Sequence, residues 1–211
     1  RWGVEAEKRL QAEIAIIKAR GEPLFLEDFV IAPVADEDNA AKALLDALAM
    51  WDVTNMMLDD RKYLADNAKV LALVRSARDR PGCDWGIIWA SPAIGISLPH
   101  LGSQRDLTLK LVDVAKRQHQ LGDHAQALRT LQDVIHLAQL ENRSPNYLIN
   151  HLVALSIHEQ AYEALETLLP TMQDHPDVRH ELAIIRDQLL NEQAFNRANV
   201  RAYFGERLFM L

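Results

Sequence analysis

The stretch from Leu107 to Leu140, LTLKLVDVAKRQHQLGDHAQALRTLQDVIHLAQL, constrains the chain more than any other. In its second half Ala127, Leu128, Leu131, Val134, Ile135 and Ala138 recur at three- and four-residue intervals and form one helical stripe. Arg129, Gln132, Asp133, His136 and Gln139 fall on the other faces, which are expected to meet water. The first half (Leu107, Leu109, Leu111, Val112, Val114, Ala115) is apolar more nearly all round, as in a helix buried between neighbours. Between them stand Leu121-Gly122-Asp123. Gly122 can take the left-handed conformation that ends a helix, and Asp123 is placed to cap the next one. The spacing predicts an αα-hairpin over residues 107–141.

The rest of the chain reads as more helix. Only 8 Gly and 8 Pro occur among 211 residues, and alternating β-branched runs are missing. The expectation is an all-α, single-domain bundle (1–211) of roughly seven to nine helices with this hairpin at its centre. Residues 1–20 carry Val4, Leu10, Ile14 and Ile17 along one side, and Gly21 and Pro23 stop the helix. Ala40 to about Leu58 predicts a second helix, capped or broken at Asp59-Asp60, and a third is expected to run to Ala77. Ser144-Pro145 has the form of a helix start, and the helix it opens is expected to continue, straight or bent, to Pro170. Asp174-His175-Pro176 opens a helix with the stripe Leu182, Ile185, Leu189 and Phe195, and a last one passes through Val200, Phe204 and Leu208.

Composition excludes several functions. A net charge of −7, without a clustered basic face, argues against nucleic acid, whose phosphates need grouped Lys and Arg. The single cysteine, Cys83, excludes an intrachain disulfide. No run of about 18 apolar residues is present to span a bilayer.

Two resemblances bear on fold and location. Ala115, then Leu121-Gly122-Asp123-His124-Ala125-Gln126-Ala127-Leu128, resembles the turn of a tetratricopeptide repeat, where small residues let two helices approach. His124 stands where that repeat usually has an aromatic residue, and no second copy follows. The passage Gly21-Glu22-Pro23 to Asp28-Phe29, with Pro33 and Asn39-Ala40-Ala41, resembles a group of uncharacterised, membrane-anchored helical proteins of planctomycete-type bacteria. Tyr63 to Asn67, Arg75 to Arg78, Leu98-Pro99-His100-Leu101 and Gly205-Glu206-Arg207 extend the likeness over nearly the whole chain. The group has no established activity to transfer. The resemblance implies an extracytoplasmic domain tethered by a membrane segment upstream of Arg1, with residues 1–21 as its possible continuation; a cytoplasmic location is the alternative.

Catalytic and metal patterns fail on inspection. His158-Glu159 and His180-Glu181 begin a zinc-protease helix, but Tyr162 and Ile184 replace the second histidine. His151 and His158 share a face but are separated by about 10.5 Å of helix, too far for zinc bonds of about 2 Å. Ser97 follows Gly95-Ile96, yet Pro99 takes the place of the second glycine of a nucleophile elbow. No cofactor, metal or catalytic residue is assigned.

Residues 83–99 form the least regular passage and hold Trp85, Ile87, Ile88 and Trp89. Loop tryptophans either anchor a partner or fold back to plug the core. The chain is therefore expected to be a non-enzymatic protein–protein interaction or scaffold domain at a bacterial membrane or envelope. Its candidate contacts are Trp85, Trp89, His119, Arg129 and His136, and its protein partners are unknown. The alternatives are a helical hydrolase or lyase around His100 and the Trp85–Trp89 loop, or a peptidic or lipidic ligand in a bundle groove.

Overall fold

A computed structural model describes residues 2–30, 32–57, 59–88, 90, 95–143 and 147–210, with side chains to residue 207. The regular structure is helical: among the described residues there are nine α-helices and no strand. They are α1 (Trp2–Ala19), α2 (Ala40–Ala49), α3 (Asp60–Asp66), α4 (Ala68–Ser76), α5 (His100–Gln120), α6 (His124–Glu141), α7 (Leu148–Leu168), α8 (Pro176–Leu189) and α9 (Glu192–Met210).

The α5–α6 turn forms as its residues dictate. Gly122 has φ +87°, and the amides of Gly122 and Asp123 donate to the carbonyls of His119 (2.9 Å) and Gln118 (2.8 Å). These two bonds close α5 in a Schellman arrangement. Asp123 occupies the N-cap position of α6, but its side chain makes no capping bond.

α6 is the central helix, packed by α5, α7 and α8. Leu128, Leu131, Val134, Ile135, Leu137 and Leu140 are buried on it. Each such side chain contributes roughly 1.5–3 kcal/mol by leaving water. The expected roles of the two hairpin helices are reversed. Gln132, Asp133 and His136, expected in water, are buried, whereas Leu109 of α5 is 53% exposed. The polar face of α6 turns inward because charged groups of α4, of the turn after it and of α8 meet it there.

The first part of the bundle differs from the expected two long helices. α2 stops at Ala49, and residues 50–57 and 59 lie outside any helix. The indole of Trp51 donates to the Tyr63 hydroxyl at 2.8 Å. Asn67 divides the next segment into α3 and α4. Its fully buried amide accepts from the Asp52 N–H (2.9 Å) and donates to the carbonyls of Asp52 (2.7 Å) and Tyr63 (3.0 Å). One side chain thus satisfies the backbone of a non-helical return, as buried polar groups require.

Asn39 does similar work at the start of α2. It caps Ala41 N–H at 3.1 Å and pairs with the Asp84 backbone in both directions at 2.9 Å. Gly82 lies alongside, bonded to Asp38 and Ala40; a Cβ there would lie 2.4 Å from Val34 Cγ1. The 83–99 passage is therefore anchored at its beginning.

α7 runs unbroken to Leu168, and Pro170 follows in a short 3-10 turn. It begins at Leu148 after Tyr147; Ser144 and Pro145, the expected start, lie outside the described residues. The stripe expected from Leu182 to Phe195 is split, since α8 ends at Leu189 and Phe195 belongs to α9. Leu148 N–H donates to Glu206 of α9 at 2.8 Å, and Arg207 pairs with Glu22 at 2.7 Å. None of the residues of α1 is buried. No helix among the described residues is long and apolar enough to cross a membrane.

Candidate functional site

The described residues among those singled out in the sequence, Trp85, His119, Arg129 and His136, are spread along the length of the hairpin and do not meet at one point. Trp85 is only 7% exposed, and its ring stacks on His100 (centroids 5.3 Å apart, planes at 15°). His100 in turn lies 3.4 Å from the carboxylate of Glu141, to which Gln104 and Asn150 also donate. This group is sealed in the core, so Trp85 takes the core-plugging role. Trp89 lies outside the described residues. His119 sits at the opposite end of α6, about 25 Å away along the helix axis. Its Nδ1 is 3.0 Å from Nδ1 of His124 and its Nε2 3.0 Å from the Thr171 hydroxyl. Partial burial, with His124 second, lowers its pKa.

Arg129 and His136 belong to a polar belt across the middle of α6. Arg129 donates to Glu181 of α8 at 2.8 Å, and Gln132 donates to the same carboxylate at 2.8 Å. Arg78 reaches Gln132 (3.1 Å), the Arg129 carbonyl (2.6 Å) and Asp133 (2.5 Å), while Arg75 lies 3.5 Å from Asp133. Burial raises the Asp133 carboxyl to about 6, outweighing the opposite pull of Arg78 and Arg75. Burial also acts on Glu181, but there the bonds from Arg129 and Gln132 more than offset it, leaving the carboxyl below its ordinary range. His136 is pushed down to about 4, first by burial and then by Arg143 and Arg78, so it is neutral at pH 7. Every arginine of the belt faces a carboxylate or carbonyl of the fold.

A different arrangement lies at the far end of α6. A cleft of about 670 Å³ opens between the last turn of α6, the middle of α7, the end of α8 and the first half of α9. Its volume falls within the range of small-molecule sites, about 300–1,000 Å³. Arg143, Arg197 and Arg201 line it, together with His158, Glu159 and Tyr162. None of the three guanidiniums takes part in an ion pair or side-chain hydrogen bond among the described residues. Phe195 and Leu155 supply apolar wall, and the Phe195 ring stands 5.6 Å from that of His151 behind it. Nδ1 of His158 and Oε1 of Gln188, both buried on the lining, have no hydrogen-bond partner. Burial, with His151 second, lowers the His158 pKa.

Sequence reasoning missed this cleft. Arg197 and Arg201, four apart on one helix face, were its local signal. Arg143 joins them only through the packing of α9 against α7. Compared with known proteins, the chain matches no family model, no curated protein and no solved structure.

Proposed function

We propose that the chain is a non-enzymatic interaction or scaffold domain working at a bacterial membrane or envelope, with α1 as its contact element. The observation that carries this reading is α1 itself. Most helices in proteins draw their stability from packing an apolar face. α1 has such a stripe in Leu10, Ile14 and Ile17, yet none of its residues is buried against this body. Its root is held by the Arg207–Glu22 pair, so the helix leaves the bundle from a fixed point. The resemblance to membrane-anchored helical proteins supports the location. The burial of His100 and Glu141 supports a non-catalytic role, since general acid–base chemistry needs reach to a substrate.

The test is cross-linking of the full-length protein in the cells that make it, followed by fractionation and mass spectrometry. A Leu10→Ser, Ile14→Ser, Ile17→Ser variant is expected to lose one reproducible, membrane-associated partner. Its thermal midpoint should fall only slightly, because no residue of α1 enters the core and only Ile14 and Ile17 of the three are half-buried. Capture that is identical for variant and parent overturns α1 as the contact element, and a purely cytosolic partner overturns the location.

A further inference from the structure

We infer that the cleft between α6, α7, α8 and α9 is a binding site for a small organic anion with about two negative charges on one head group and a flat apolar body. Phosphate monoesters and aromatic dicarboxylates share this chemistry. The inference is independent of α1 and of the interaction reading.

Charge comes first. The chain as a whole is at −7, yet three guanidiniums converge here against one carboxylate, Glu159. Among the lining residues that leaves an excess of about two positive charges, and a phosphate monoester carries about −1.5 to −2 at neutral pH. Guanidinium groups match carboxylate and phosphate oxygens in pairs, which makes Arg the usual residue for such recognition. Geometry comes second. Arg197 and Arg201 stand four residues apart on α9, and Arg143 reaches the same lining from the end of α6. The head group would thus draw its guanidinium donors from two separate elements of the fold. Tyr162, Phe195 and Leu155 of the same lining supply apolar surface for a planar body.

The lining provides the third observation. His158 Nδ1 and Gln188 Oε1 are buried polar atoms left without a partner. Such groups are rare in folded proteins and mark places where something else completes the hydrogen bonding. Their residues stand on α7 and α8 and belong to the same lining as the arginines.

The experiment is calorimetric titration of the full chain at low salt with four probes: phenyl phosphate, phthalate, inorganic phosphate and benzoate. Saturable one-to-one binding of phenyl phosphate or phthalate is expected, and whichever binds more tightly identifies the head group. Inorganic phosphate, lacking the ring, and benzoate, with one charge, should bind at least tenfold more weakly. Arg197→Gln and Arg201→Gln should each weaken the aromatic dianion about tenfold, the usual size of one lost charged hydrogen bond. Both arginines are exposed and outside the core, so the variants should fold; unchanged far-UV circular dichroism and thermal midpoint check this. Absence of saturable binding by either aromatic dianion overturns the site. So does binding that survives both substitutions, or equal binding of benzoate.

Discussion

Two groups of arginines on this protein differ in what answers them. Arg75, Arg78 and Arg129 lie against Asp133, Gln132 and Glu181, and together they tie α6 to α8 and to the segment ending α4. Arg143, Arg197 and Arg201 line a cleft with no such partners. The first set is consumed by the fold. The second is left over from it, and charge left over in a concave place is charge available to a ligand. Residue type alone does not separate a structural arginine from a binding one; the identity of the group opposite does.

The contrast can be tested first through pH. In the belt, Asp133 has its carboxyl raised from 3.8 to about 6, so its favourable contribution is full below 3.8 and lost as pH rises through 6. His136 is lowered from 6.5 to about 4, so its contribution is full above 6.5 and lost as pH falls towards 4. Each amounts to something on the order of 3 kcal/mol, and between pH 4 and 6 they oppose one another. Urea denaturation across this range should therefore give a nearly flat profile for the parent. His136→Gln should become more stable on acidification and Asp133→Asn less stable. Two flat variants would show that the belt is not buried as described.

Glu181→Ala comes next. It leaves the Gln132 amide buried without its acceptor and Arg129 without its carboxylate, and it should lower the unfolding free energy by about 2 kcal/mol. Chemical denaturation with an unchanged m-value would show a simple loss of stability. The smallest effect is expected in the cleft. Arg143→Gln, Arg197→Gln and Arg201→Gln should each change stability by less than about 0.5 kcal/mol. A small gain at low salt should fade at high salt as repulsion among the three is screened. A loss as large as that of Glu181→Ala would erase the distinction between the two groups.

Much of the fold was legible from local patterns. The all-helical class, the turn at Gly122, the stop at Pro170 and the start at Pro176 all follow from short-range chemistry. What misled was a polar face on α6. Gln132, Asp133 and His136 read as solvent-facing because their partners are remote in sequence: Glu181 is 49 residues away and Arg75 58. The break of the first half at Asn67 was hidden for a similar reason, since one amide replaces the helix bonds of a return 15 residues earlier. Trp85 illustrates the limit most sharply. Its sequence context suits both an exposed anchor and a core plug, and only the stacking on His100 decides. The cleft needed three helices to assemble before its arginines stood together.

The Arg207–Glu22 pair joins residues 185 apart in sequence and makes α9 a clasp as well as a wall. Together with the bond from Leu148 N–H to Glu206, it fastens the root of α1 and the start of α7 to the same turn of the last helix. A pull transmitted along α1 thus enters the body through two routes in parallel, the covalent chain beyond residue 22 and the ionic strap to residue 207. Tension at this corner is shared with the helix that forms one side of the cleft.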